Sequence, residues 1–349
     1  MKHTFAREER QFNITFFNFA PKSMNMLSFS ECKDKIESEI CKIPFQCFKP
    51  DELYQPVAYI LSLGGKRIRP VLTLMACELF SGKTEVALNP ALAVEIFHNF
   101  TLLHDDIMDK APMRRNHPTV HHKWNENIAI LSGDAMNIIA YQYLCRTNTD
   151  LIPELIDVFS KVALEICEGQ QLDMNYESQP EVSLPQYLKM IELKTAVLLA
   201  ASLRIGAICG QAPETEKHNI AAFGLNLGMA FQIQDDILDA FGNEKEFGKS
   251  IGGDILAGKK TFLYLKALET AKDHQKQELS RIYNDKALLP ETKIEKVLGI
   301  FQELNIRSMA EGVVTQYTEM AMKSLQAVNT EKSKGELEKL AYKIMNRKA

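Results

Sequence analysis

Hydrophobic positions recur at helical spacing through most of the chain. Leu92, Ile96, Phe100, Leu103 and Ile107 follow one another at intervals of four, four, three and four residues, which places them on one stripe of a helix. The strict alternation of apolar and polar residues that marks strands is scarce, and no Asn-Gly hairpin turn occurs. The pattern therefore predicts an all-α protein.

Turn residues divide the chain into eleven predicted helices. Because no linker or low-complexity tract interrupts them, residues 27–349 are expected to form a single all-helical domain, a bundle with its site between facing helices. Residues 1–26 are expected to be an extension, either disordered or upstream of the translated start. The predicted helices span residues 51–62, 68–80, 88–108, 127–147, 151–176, 184–210, 215–241, 261–272, 288–303, 306–328 and 332–346.

Composition narrows the class of protein. The 349 residues are 46% hydrophobic, the net charge is −4 and the pI is about 6.1, so the surface lacks the basic footprint of a nucleic-acid-binding protein. The seven scattered cysteines include no Cys-x-x-Cys pair, which predicts reduced thiols that mostly fill the core of a cytoplasmic protein. No apolar run is predicted to reach membrane-spanning length, so an integral membrane protein is not expected.

Two acidic motifs of the form Asp-Asp-x-x-Asp, at residues 105–109 and 235–239, follow apolar helical runs. On a helix the first and last aspartates of each motif share a face. Crowded carboxylates are costly to bury unless cations neutralise them, and such oxygens suit Mg²⁺ that also holds phosphate groups. The alternative is two solvated acidic helix faces, but two copies within apolar helices favour a metal site.

Basic residues stand beside small residues or turns. The segment Gly64–Pro70 combines a glycine pair with three cations at a predicted helix start, which suits an anionic ligand or is a tight turn before an exposed basic helix. The pair Arg114-Arg115 follows the first motif and either grips a diphosphate or pairs with the motif's own aspartates.

Further cations lie in the second half of the chain. Lys194-Thr195 sits in an otherwise apolar helix, where a buried lysine needs an anionic partner. Lys249, Lys259 and Lys260 flank Gly252-Gly253-Asp254. No zinc motif, nucleophile elbow, Walker loop or dinucleotide fingerprint is present. The residues therefore favour metal-assisted departure of a phosphorylated group inside an apolar bundle.

Together these residues resemble the trans-isoprenyl diphosphate synthases, from about Asp51 to Lys266. The motifs that carry the resemblance occur in the family's order. They are Gly64-Gly65-Lys66…Arg69, Leu102-Leu103-His104 with the first acidic motif, Arg114-Arg115, Gly133-Asp134, Gly169-Gln170 with Asp173, Lys194-Thr195, Phe231 to Asp239, and Lys249 to Asp254.

The resemblance implies an all-α isoprenoid-synthase-type bundle with a deep central cavity, usually a homodimer, that joins isopentenyl diphosphate to an allylic diphosphate (dimethylallyl, geranyl or farnesyl). The resemblance also implies a role for each motif residue. Asp105, Asp109 and Asp235 would ligate a Mg²⁺ cluster, with Asp106, Asp236 and Asp239 completing the two metal motifs; Arg114, Lys194, Lys249 and Lys259 would hold the allylic diphosphate; Lys66, Arg69, His98 and Arg115 would bind isopentenyl diphosphate; Thr195 and Gln232 would stabilise the allylic cation.

In this family the two positions before the first motif that set product length correspond to Phe100 and Thr101. One aromatic followed by a small residue is associated with a C20 product, so geranylgeranyl diphosphate is expected, with farnesyl or longer prenyl diphosphates as alternatives. Phe97 and Phe100 are chain-length residues or ordinary core residues. The rival interpretations are a class I terpene cyclase and a regulatory synthase subunit, but both acidic motifs are complete, which argues against the two rivals.

Overall fold

The computed structural model describes residues 26–242, 251–285 and 287–345, which fold into helices joined by short turns. One ribbon of two antiparallel strands, β1 (Met113–Arg114) and β2 (His117–Pro118), interrupts them. The helices are α1 Phe29–Lys42, α2 Asp51–Ser62, α3 Ile68–Ser81, α4 Leu88–Met108, α5 Val120–Lys123, α6 Glu126–Leu144, α7 Ile152–Ser178, α8 Leu184–Ile191, a π-helical segment Glu192–Ala196, α9 Val197–Cys209, α10 Glu214–Phe241, α11 Gly253–Ala257, α12 Phe262–Thr270, α13 Asp273–Asn284, α14 Pro290–Glu303, α15 Ile306–Ala327 and α16 Gly335–Met345. The all-α prediction is confirmed.

Helix α10 is the central helix of the bundle and packs against α9 and α15. Its first half contributes Phe223 and Leu227 to one apolar cluster, and its second half contributes Ile233 and Ile237 to another. Because α10 passes between the two clusters, the second acidic motif at its carboxyl end is held on a buried, rigid element.

Helices α1, α5, α11 and α13 were not predicted. Ser28 caps α1 in a capping box with Glu31, a signal the sequence does carry. The apolar face of α1 is short, since only three of its side chains are buried, those of Cys32, Ile36 and Ile40. Helix α13 is mostly polar and buries only its carboxyl-terminal half, so its periodicity is weak.

Two composition-based expectations need correction. The segment Glu85–Met108, which contains α4, is long and apolar enough by length and composition to span a bilayer, contrary to the prediction. Most of its apolar window is buried among other helices, which is the behaviour of a core helix. All seven cysteines are free thiols, as predicted, but four of them are exposed, so the expectation that they mostly fill the core was wrong.

Candidate active site

The first acidic motif occupies the last turn of α4. Asp105 is half-buried, Asp109 is exposed just beyond the helix end, and Asp106 is buried. The Arg114 guanidinium donates to both carboxylate oxygens of Asp106, with Nε at 2.9 and 2.8 Å. Of the two alternatives left open for Arg114, the structure shows pairing with the motif. Burial raises the pKa of Asp106, although Arg114 opposes the rise.

The second acidic motif lies at the end of α10, and two of its carboxylates accept hydrogen bonds from the protein itself. Asp236 is buried and accepts hydrogen bonds from the Tyr187 hydroxyl, from the Phe262 backbone N–H at 3.1 Å and from the Gln232 amide at 3.4 Å. Burial and the nearby Asp254 raise the pKa of Asp236 to about 8. Asp239 Oδ2 accepts from the Asp254 N–H at 2.9 Å, so this motif organises the chain that follows it.

The glycine-rich loop before α3 lines a cavity of about 490 Å³ together with α4. Lys66, Arg69, His98 and Arg115 all border it, so the structure brings together the four residues that the family resemblance groups. Arg69 Nη1 lies 3.2 Å from His98 Nε2. The buried Nε of Arg69 has no hydrogen-bond partner among the described residues, an unmet donor that an anion in the cavity would satisfy.

Burial sets the charge states in this cavity. It lowers the pKa of Arg69 to about 10, while Glu95 and Asp235 act in the opposite direction. It also lowers the pKa of His98 well below its usual value, and the cations Arg69 and Arg115 add to this effect. His98 is therefore neutral at pH 7, which leaves the positive charge of the cavity on its arginines and on Lys66.

Close packing holds the glycine-rich loop. Gly65 has φ +143°, and a Cβ there would lie 3.0 Å from Arg115 Cζ, so glycine lets the guanidinium lie flat on the loop. Arg115 also donates to the Gly64 carbonyl. Arg67, which sequence reasoning did not single out, is buried and bonded to Glu95 at 2.5 Å and Glu37 at 3.0 Å. This buried ion network anchors the loop to α1 and α4.

Lys194 and Thr195 lie in the π-helical segment between α8 and α9. Lys194 Nζ is 2.5 Å from Asp173 Oδ2, and Thr195 Oγ1 donates to Gln232 Oε1 at 3.1 Å. A Cβ on Gly169 would lie 2.4 Å from the Lys194 backbone nitrogen. Only glycine therefore lets α7 approach the segment that presents both side chains.

A second cavity, of about 120 Å³, opens beside this segment. It is lined by residues from α7, the π segment, α10 and the turn before α12. Lys259 enters it from that turn, and the carboxylates of Asp173 and Asp109 raise the pKa of Lys259 despite its burial. Lys249 lies outside the described residues. The predicted site residues that line this cavity are Lys194, Thr195, Gln232, Asp236 and Lys259.

Electrostatic interactions connect the first acidic motif with the lysines of the cavity beside the π segment. Burial raises the pKa of Asp105, and the Lys194 ammonium opposes the rise. The Asp109 carboxylate is one of the charges that raise the pKa of Lys259. Within residues 26–242, 251–285 and 287–345 no group of three or more His, Cys, Asp or Glu side chains is close enough to hold a metal ion unaided. The carboxylates of the first motif instead lie near the ammonium groups of Lys194 and Lys259.

Comparison with known proteins assigns the chain to a family. The polyprenyl synthetase family model matches residues 50–301. The chain belongs to the polyprenyl synthetase family. It is 42% identical over 223 residues to geranylgeranyl diphosphate synthase of Methanosarcina mazei, covering 63% of this chain and 69% of that protein. It is 37% identical over 283 residues to geranylgeranyl diphosphate synthase of Sulfolobus acidocaldarius, covering 80% and 85%.

Solved structures of this family have the same fold. A geranylgeranyl pyrophosphate synthase superposes with a TM-score of 0.87 at 42% identity, covering 93% of this chain and 100% of that one. The synthetase of Pyrococcus horikoshii gives 0.85 at 32% identity, with 92% and 98% covered. A decaprenyl diphosphate synthase from Rhodobacter capsulatus still gives 0.82 at 26%, covering 92% and 97%, so the polyprenyl synthetase fold is shared by enzymes named for very different products.

Two of the three residues predicted to set product length, Phe97 and Phe100, belong to an aromatic cluster in this polyprenyl synthetase. Phe97 is almost fully buried, and its ring centroid lies 5.4 Å from that of Phe100 and 5.1 Å from that of Phe159. Tyr141 packs on Phe159 at 5.0 Å. Thr101 donates to a backbone carbonyl of its own helix. The sequence did not indicate that Tyr141 and Phe159 belong to this cluster, because nothing in a single sequence shows that α6 and α7 pack near α4.

Proposed function

We propose that this polyprenyl synthetase is a Mg²⁺-dependent prenyltransferase that joins isopentenyl diphosphate head to tail to an allylic diphosphate and releases geranylgeranyl diphosphate. The observation that carries the proposal is the presence of two separate cavities that hold lysines or arginines: the one beside the glycine-rich loop has an excess of cations, and the one beside the π segment combines lysines with carboxylates. Two cavities suit two diphosphate substrates. The names of the Methanosarcina and Sulfolobus relatives support the C20 product.

Isopentenyl diphosphate fits the cavity beside the glycine-rich loop. Arg69 and Arg115 line this cavity, and the Arg69 guanidinium keeps a buried Nε without a hydrogen-bond partner among the described residues. Arginine forks bind phosphate oxygens in pairs. His98 is neutral, so it donates or accepts one hydrogen bond without adding charge. Phe231 also lines the cavity and supplies apolar surface for the short hydrocarbon tail of this substrate.

The allylic diphosphate fits the cavity beside the π segment, where Lys194 and Lys259 supply positive charge. Asp105, Asp109 and Asp235 are the oxygen donors that would hold Mg²⁺, and the donor set fits because this ion takes carboxylates together with phosphate oxygens and water. When bound, Mg²⁺ neutralises charge on the departing diphosphate. Asp106, Asp236 and Asp239 instead bond to protein donors and hold the motifs in place.

The remaining steps of the proposed reaction are ionisation, formation of the carbon–carbon bond and loss of a proton. Cleavage of the allylic C–O bond leaves its electron pair on diphosphate and creates an allylic cation. The Thr195 hydroxyl, which donates a hydrogen bond to Gln232 Oε1 at 3.1 Å, and the Gln232 amide oxygen are the dipoles placed to stabilise that charge. The isopentenyl double bond attacks the cation, and the departing diphosphate takes the proton that is lost. Lys194 and Lys259 hold that diphosphate close by.

We further propose a homodimer. Leu131, Ile138 and Leu164 are 60–62% exposed on α6 and α7, and Leu131 and Ile138 are seven residues apart on one face. Exposed apolar side chains on one helix face are typical of an interface when they form a patch, and a second copy of the chain is the partner expected.

Product analysis tests the proposed function. Purified protein is incubated with Mg²⁺, isopentenyl diphosphate and dimethylallyl, geranyl or farnesyl diphosphate, and the products are sized by chromatography. A C20 diphosphate is expected from each starter. A C15 or longer product would correct the chain length alone, hydrocarbon would indicate a cyclase, and no product without an added partner would indicate a regulatory subunit.

A further inference from the structure

The turn between α11 and α12 carries Lys259 into the cavity beside the π segment. The Lys259 backbone N–H donates to the Asp254 carbonyl at 2.9 Å. The Lys259 carbonyl accepts from the Thr261 N–H at 3.0 Å and from the Tyr283 hydroxyl at 3.1 Å. Tyr283 thus reaches this turn from α13, 24 residues along the chain, although Tyr283 is absent from the lining of the cavity.

Tyr283 is itself held firmly. Its ring stacks on the Tyr264 ring, with centroids 4.0 Å apart and an interplanar angle of 29°. Its carbonyl accepts from Lys293 Nζ at 2.7 Å, and Lys293 is buried. This carbonyl belongs to the last turn of α13, where backbone oxygens lack helical partners. The buried ammonium of Lys293 therefore fixes the backbone from which the Tyr283 hydroxyl extends.

The neighbouring lysine anchors the other side of the turn. Lys260 Nζ donates to the Tyr176 carbonyl at 2.6 Å and to the Glu177 carbonyl at 3.3 Å. Both carbonyls lie in the last turn of α7, and a lysine at that position satisfies unpaired helix carbonyls. With the Tyr283 hydroxyl on one side and Lys260 on the other, the backbone at Lys259 is fixed and its ammonium projects into the cavity.

We propose that Tyr283 is a positioning residue for the allylic diphosphate, acting through the backbone of Lys259. This inference rests on the proposed function, which makes Lys259 a ligand of that diphosphate. The turn begins at Gly258, whose φ of +68° lies in the left-handed region and whose surroundings leave open space, so side-chain packing at Gly258 does not hold the turn. Without the Tyr283 hydroxyl, Lys259 loses one of the bonds that hold it in place.

The variant Tyr283→Phe tests the inference by removing only the hydroxyl. Loss of one hydrogen bond predicts a rise of about three- to tenfold in the KM for farnesyl diphosphate, with the KM for isopentenyl diphosphate unchanged and the melting temperature lowered no more than in the control below. Tyr264→Phe is the matched control, because it alters the other ring of the stack and its hydroxyl lies by Ser280. An allylic KM equal to that of the control, or a parallel change of both KM values, would overturn the inference.

A double-mutant cycle shows whether Tyr283 acts through Lys259. Lys259→Ala alone is expected to raise the allylic KM, and adding Tyr283→Phe is then expected to change it no further. Full additivity would overturn the inference. A wild-type protein that forms no product would overturn the proposed function instead. Calorimetric binding of inorganic pyrophosphate with Mg²⁺ would then decide about Tyr283 alone, since weaker binding by Tyr283→Phe supports the inference and equal binding overturns it.

Discussion

Lys194 Nζ lies 2.5 Å from Asp173 Oδ2, a contact that crosses from the π-helical segment to α7. The next residue, Thr195, points the other way and bonds to Gln232 on α10. One wide turn thus gives two successive side chains different partners, as single π turns at functional sites often do. The predicted continuous helix 184–210 could not anticipate this turn, because its apolar periodicity continues through the segment.

Gly169→Ala is expected to disturb this turn. The new Cβ would lie 2.4 Å from a backbone nitrogen that cannot move independently, so we expect a loss of about 1–3 kcal/mol in the free energy of unfolding and a lower kcat. Chemical denaturation and steady-state kinetics measure the two effects. Gly312→Ala in α15 is the control, because nothing lies within 4 Å of its added Cβ; this substitution should stabilise the protein by about 1 kcal/mol. A Gly169→Ala protein as stable and active as wild type would contradict the packing argument.

The sequence predicts the long helices well and their contacts poorly. The apolar stripe of α4 is confirmed, because Leu92, Ile96 and Leu103 are buried. The glycine-rich loop and Arg115 are separated by about fifty residues, yet lie in one cavity; the family resemblance predicted this cluster, whereas periodicity could not. The ion network of Arg67 and the hydroxyl of Tyr283 depend on tertiary contacts that leave no local pattern.

Arg69→Gln is expected to weaken isopentenyl diphosphate binding selectively. Arg69 lines the cavity beside the glycine-rich loop and keeps an unmet buried donor, so loss of a charged hydrogen bond predicts a KM for isopentenyl diphosphate about 10- to 100-fold higher. The KM for the allylic substrate should stay near its wild-type value. Arg307→Gln, which alters a surface pair with Glu311, is the control for charge. An equal rise in both KM values would argue against separate sites.

His98 should make the protein less stable in mild acid. Burial and the adjacent arginines keep the folded-state pKa of His98 well below 6.5, so below that pH the unfolded chain binds a proton that the folded chain does not. Stability therefore falls as pH drops below 6.5, with a slope of up to about 1.4 kcal/mol per pH unit from this group. His98→Gln should flatten the dependence between pH 7.5 and 5.5, whereas exposed His274→Gln should not. Parallel curves for all three proteins would refute this assignment.

Phe100→Ala is expected to lengthen the product. Phe100 is partly exposed beside Phe97 and is stacked edge-on to His104 at 4.8 Å, so its removal opens space below the first acidic motif. Phe97→Ala removes a nearly buried ring and should cost about 3–5 kcal/mol of stability, which makes it the less informative change. Chromatography of the extracted prenyl diphosphates measures the effect; an unchanged product would place the length limit on Phe159 or Tyr141, or elsewhere.

The central claim is that Asp105 and Asp109 of the first motif and Asp235 of the second act together on one diphosphate. Asp105→Ala and Asp235→Ala are each expected to lower turnover by a factor of about 10²–10³ or more, with helicity and melting temperature retained. Burial raises the pKa of Asp105, so its charge destabilises the folded protein and its removal should not unfold it. Asp157→Ala, on an exposed part of α7, is the control and should remain fully active. Near-wild-type turnover in either motif variant would contradict the account.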